Sequence, residues 1–149
     1  MGNTIMTQRH INFEDMQMAI NEQTNHQYAM KTVIINTLEA HNQHCLISGT
    51  LNIEHEVEAL NTYMKNNKDI RIIVYGMNAA DGSSMKKYEQ LIKLGFYHVF
   101  IYAGGLFEWL LLQDIYGVDE FTTTSRQLDI LKYKPRKTLH AGLIGYYAS

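Results

Sequence analysis

The stretch that most constrains this chain is the apolar run Ile70 to Tyr75 (IRIIVY), which leads directly into a loop of turn-forming residues. Apart from Arg71 its side chains are β-branched or aromatic, as suits a strand covered on both faces. Gly76 to Ser84 then supplies two glycines, an asparagine, an aspartate and two serines, a composition that bends backbone, with Ser83 or Ser84 expected to cap a following helix. In that helix Met85, Tyr88, Leu91 and Ile92 fall on one side, and Gly95 stands where a helix stops. Val99 to Tyr102 reads as a second strand, followed by Gly104, Gly105 and an apolar helix through Trp109. Strand, loop, helix and strand in that order make the two strands parallel. In open α/β sheets the functional crevice lies at the carboxyl ends of the strands, which places Gly76 to Ser84 there.

The same alternation extends upstream. Val33 to Leu38 (VIINTL) reads as an earlier strand, and Val57, Leu60 and Met64 repeat at helical spacing before Asn66 and Asn67 end that helix. Asn12 is placed to cap a short helix with Glu14 and Asp15 in its first turn and Phe13, Met16 and Ile20 on its apolar side. The expected fold is three-layered α/β, with a mostly parallel central sheet and helices on both faces. Residues 1–30 read as a polar arm plus the short helix, 31–112 as the core, and 113–149 as an extension that packs on it. Within the extension Leu128 and Leu131 are expected on one face of a capped segment ended by Pro135, and Leu139, Leu143, Ile144, Tyr146 and Tyr147 give the tail an apolar character.

These landmarks together resemble the rhodanese-like (sulfurtransferase) family. They are Val74 and Tyr75 ending a strand, Gly95 and Phe96 after a helix, Gly104, Gly105 and Trp109 beyond the next strand, and upstream Ile47 to Ile53 (ISGTLNI). The resemblance implies sulfur transfer through a cysteine persulfide held in the loop, or in some relatives a cysteine phosphatase. By the family's spacing that cysteine would stand at Gly76 or at Asn78, and neither is a thiol. Ala79 and Ala80 cannot serve, the loop carries no basic residue to hold an anion, and Asn36 and Leu38 stand where relatives carry an acid and an arginine.

A persulfide carrier needs a thiolate. The single cysteine, Cys45, lies outside the loop beside Leu46 and Ile47 and reads as a small buried hydrophobe in a reducing compartment. His41 and His44 flank it without the further pair that a closed zinc site needs, so neither metal nor cofactor is expected. With a formal net charge of −2, and a basic stretch confined to Lys132 to Lys137, the chain is not built to bind nucleic acid. No apolar run is long enough to span a membrane, and Gly2 lacks the residue at position six that lipidation prefers, so a cytoplasmic location is expected.

The expected function is therefore a catalytically silent rhodanese-like module that binds a protein partner or a small anion. Its site is the degenerate loop Gly76, Met77, Asn78, Ala79, Ala80, Asp81, Gly82, Ser83 and Ser84, whose amides at a helix start can present donors. Tyr75, Tyr102, Phe107 and Trp109 are candidates for its rim, with Trp109 placed in the core by preference. The alternative is an active sulfurtransferase, if a cysteine reaches the loop or Ala79 replaces one. A homodimer formed through the aromatic extension is a third reading.

Overall fold

The computed structural model describes residues 9–25 and 31–139. Four strands, β1 (His10–Ile11), β2 (Thr32–Asn36), β3 (Arg71–Tyr75) and β4 (His98–Tyr102), form one sheet in the order β1-β4-β3-β2, with every neighbouring pair parallel. Among the described residues four α-helices surround it: α1 (Phe13–Thr24), α2 (Ile53–Asn66), α3 (Ser83–Lys93) and α4 (Gly105–Tyr116).

Alternation along the strands divides the core into two layers. Ile34, Ile73, Tyr75 and Tyr102 pack with Met16 and Ala19 of α1 and with Leu106, Trp109 and Leu110 of α4. Val33, Ile35, Ile72, Val74 and Val99 face the other way, against Leu60 of α2 and Leu91 of α3. Each such aliphatic side chain contributes about 1.5–3 kcal/mol by leaving water. The three-layer α/β fold read from the sequence is what forms.

The local signals held where one residue type had one physical role. Asn12 and Asp15 close a capping box at the start of α1. Gly95 ends α3 with φ +101, in the left-handed region that side chains avoid.

Other expectations failed. His10 belongs to an edge strand rather than the polar arm, and α1 continues past Ile20 to Thr24. Neither Ser83 nor Ser84 caps α3; its N-cap is Gly82, without a side-chain hydrogen bond. Val57 is 71% exposed and Ile92 41%, so the apolar stripes of α2 and α3 are narrower than the periodicity suggests. Leu128 and Leu131 do not form a buried face. The segment is a 3-10 turn, Ile130–Tyr133, anchored by the fully buried Tyr133. Leu143, Ile144, Tyr146, Tyr147 and Gly2 lie outside the described residues.

The extension beyond α4 folds back as a strap. Thr123 bridges Ile47 antiparallel, Ser48 donates to the Thr122 carbonyl, and Thr124 donates to that of Leu46. Trp109 Nε1 and Gln113 Nε2 of α4 fasten the strap from beneath, through the carbonyls of Thr122 and Phe121.

Candidate functional site

The loop after β3 sits at the carboxyl end of the sheet because β3 is parallel to both neighbours and α3 must return the chain to the start of β4. It is tied down at its base. The N–H groups of Leu106 and Phe107 in the first turn of α4 donate to the carbonyls of Gly76 and Met77, at 3.0 and 2.9 Å. These are helix-start amides that would otherwise be free to meet a ligand.

Within the loop, side chains take up amides that an empty anion cradle would present. Asp81 Oδ2 accepts from Met77 N at 3.0 Å and its Oδ1 from Ser83 N at 3.0 Å. Burial alone would raise the Asp81 carboxyl. The hydrogen bonds from Met77 and Ser83 outweigh it and hold the group below its ordinary range. Asn78 is buried; its Oδ1 accepts from Ala80 N at 2.9 Å and its Nδ2 donates to the strap carbonyl of Tyr133 at 2.9 Å. One of the two positions that the family's spacing assigns to the cysteine thus holds a side chain with both polar atoms engaged.

Of the nine loop residues, Gly76 and Ser84 are buried with Asn78, while Met77, Asp81 and Ser83 are half-buried. Ala79, Ala80 and Gly82 face solvent. Ser83 Oγ shares a hydrogen with Thr37 Oγ1 at 2.7 Å, and Ser84 Oγ makes a long contact of 3.5 Å with the Asp81 carbonyl. Among the described residues no histidine is hydrogen-bonded to either serine. His98 begins β4, at the opposite end of the sheet, whereas His10, absent from the candidates, borders the same hollow of about 200 Å3 as Ala79, Gly82 and Ser84. A second hollow, of about 410 Å3, lies on the other side of the loop between Thr37, Ile53, Val57, Ser83 and Lys86.

The aromatic rim does not form: Tyr75 and Tyr102 are fully buried, only Phe107 is half-buried, and Trp109 takes the core place preferred for it. Tyr75 is a fastener: its hydroxyl accepts from Ile47 N at 3.1 Å and bonds Thr50 Oγ1 at 2.7 Å, and burial pushes its pKa above the usual tyrosine range. Cys45 is fully buried in the core, its thiol donating to the Ser125 carbonyl at 3.3 Å, and burial raises its pKa as well. His41 is exposed beside Glu39, and His44 Nε2 contacts Gln127. Among the described residues no group of three or more His, Cys, Asp or Glu side chains could hold a metal ion. No helix among them is long and apolar enough to cross a membrane.

A sheet of parallel strands with the loop at its carboxyl edge, a glycine pair and a buried tryptophan on α4 define the class, and comparison with known proteins agrees. The description "Rhodanese-like domain" matches residues 20–112, and the chain belongs to that family. Among solved structures, the BH2092 protein of Bacillus halodurans is similar with a TM-score of 0.55 at 19% identity, over 73% of this chain and 74% of that one. The Alr3790 protein of an Anabaena species gives 0.54 at 20% identity, over 82% and 97%. Saccharomyces cerevisiae Ygr203w, a homolog of single-domain rhodanese and Cdc25 phosphatase catalytic domain, gives 0.58 at 13% identity, over 82% and 90%. At these identities the likeness concerns the fold. A search of curated proteins found no match.

Proposed function

We propose that this rhodanese-like domain is catalytically silent and acts as a binding module for a protein partner through the loop 76–84. One observation carries the reading: the loop keeps its place at the sheet's carboxyl edge, yet its interior is filled by Asp81 and Asn78 instead of a thiol. A carboxylate resident among the amides disfavours a small anion there by like-charge repulsion, which leaves the exposed surface of Ala79, Ala80 and Gly82 as the contact region. Sulfur transfer would require a thiol in the loop. Ala79, exposed at the edge of the 200 Å3 hollow, is where one could stand, and the lone Cys45 is shut inside the core.

The test is affinity capture with the wild type and the double variant Ala79→Arg, Ala80→Arg, which changes the loop's surface and leaves the bonds of Asn78 and Asp81 in place. A partner retained by the wild type and lost by the variant is the expected result. An identical set of partners from both would overturn the reading.

A further inference from the structure

The apolar stripe of α2 runs off its support. Ile53, Val57, Leu60 and Met64 follow one another at helical spacing. Leu60 is buried and Met64 packs against the same core layer, whereas Ile53 is 37% exposed and Val57 71%. Where the stripe becomes bare, α3 stands across a hollow of about 410 Å3 instead of filling it. Both helices turn one face to that hollow: Ile53, Glu56 and Val57 from α2, and Ser83, Lys86 and Lys87 from α3, each set at spacings of three and four.

One ammonium in this groove is neutralised and the other is not. Lys87 Nζ meets Glu56 Oε2 at 2.6 Å with both side chains largely buried, a pair that joins the two helices. Lys86 is exposed, and among the described residues it makes no ion pair. Bare aliphatic surface therefore lies beside an uncompensated cation. On the far side of Val57 the sign reverses. A hollow of about 550 Å3 is lined there by Val57 with Glu54, Glu58 and Lys65, two carboxylates to one ammonium.

We infer that the groove between α2 and α3 is a docking surface for a segment of a protein partner that lays an apolar side chain against Val57 and Ile53 and a carboxylate against Lys86. Apolar contact supplies the affinity, since an exposed ion pair adds little. Charge supplies the direction: a carboxylate on the α3 side meets the unpaired ammonium, and one on the other side would face Glu54 and Glu58. The groove adjoins the loop 76–84, because Ser83 lines it and shares a hydrogen with Thr37, also of the lining. Use of both surfaces by one partner rests on the loop being a binding site. The groove's own chemistry does not.

The probe is a display library of random linear peptides selected on the wild type, the enriched sequences being synthesised and their affinities read by fluorescence anisotropy. Those peptides are expected to share an apolar residue with an acidic one close by. Lys86→Glu and Val57→Asp should each weaken them at least about tenfold, by removing attraction or apolar contact and adding like charge. A peptide whose acidic residue is changed to lysine should regain affinity for Lys86→Glu, a rescue that a merely structural effect would not give. Both positions are exposed, and matching urea midpoints check that the variants fold. Peptides that bind wild type and variants alike, an apolar consensus without an acid, absence of the rescue, or no enrichment at all would overturn the docking surface. So would a concentration-dependent dimer in sedimentation that Val57→Asp abolishes, which would give the groove to a second copy. The loop double variant Ala79→Arg, Ala80→Arg separates the two readings. Peptides that it still binds uphold the groove even if the loop captures no partner, whereas peptides lost there and indifferent to Lys86→Glu belong to the loop and overturn the groove.

Discussion

Gly105 lies so close to Gly76 that a methyl group on its Cα would stand 2.7 Å from the Gly76 carbonyl oxygen and 2.9 Å from Asn78 N. Its φ of +68 adds a second restriction. Only glycine lets the first turn of α4 press its amides onto the loop. Gly105→Ala should therefore cost roughly 2–4 kcal/mol, combining left-handed strain with a clash against backbone that cannot rotate away. Gly82, with φ −72 and open space around it, should tolerate alanine or gain about 0.4–1 kcal/mol from a less flexible unfolded chain. Urea denaturation of the two variants checks both signs.

Asp81 gives a pH signature. Its folded pKa lies below the ordinary carboxylate value, so the stabilisation it adds is complete above the unfolded pKa of about 3.9 and disappears as pH falls through the lower folded value. Asp81→Ala should lose about 1–2 kcal/mol at neutral pH, with two loop amides left unpaired. The gap between variant and wild type should close on acidification below about pH 3.9, as stability curves at both pH values would show.

Tyr75→Phe tests the joint between β3 and the segment 47–50. The substitution keeps the ring and removes the hydroxyl that satisfies Ile47 N and Thr50. A loss of about 1–3 kcal/mol is expected from the stranded buried amide. In the wild type, ultraviolet titration should leave Tyr75 and Tyr102 protonated past pH 10, since burial raises both, and the Glu108 carboxylate raises Tyr102 further.

Val57 and Leu91 separate pattern from packing. Both stand on apolar helical stripes, yet Val57 is 71% exposed and Leu91 fully buried. Leu91→Ala should cost about 2–5 kcal/mol and Val57→Ala stay within about 0.5 kcal/mol, by thermal or urea unfolding.

What was legible in the sequence follows from the same contrast. The runs VIIN, RIIVY and HVFIY announce buried parallel strands because a strand covered on both faces tolerates almost no polar side chain. Asn12 and Gly95 mark helix ends because each meets a local backbone need that sequence alone states. Position 57 was misread because periodicity gives the centre of a stripe and not its width, which depends on how far the neighbouring helix reaches. Asp81, two residues before Ser83, does the work assigned to the serines: an Asx side chain bonding the amide two positions on competes with an N-cap, and which wins is settled by the loop's attachment to α4. The edge strand at His10 and the strap were hidden because two residues are too few for periodicity, and nothing local in Thr122 to Ser125 points to Leu46 some seventy-odd residues away. The missing thiol was readable outright. The residues that fill its place were in view as the loop's own Asn78 and Asp81, but their bonds depend on the folded turn.

The central claim is that the domain has kept the rhodanese-like scaffold without its sulfur chemistry, and the most direct measurement is thiocyanate formation from thiosulfate and cyanide. The account predicts no release above a no-protein control, because the loop offers no sulfur nucleophile and Cys45 is buried. Turnover above that control, abolished by Cys45→Ser, would contradict it.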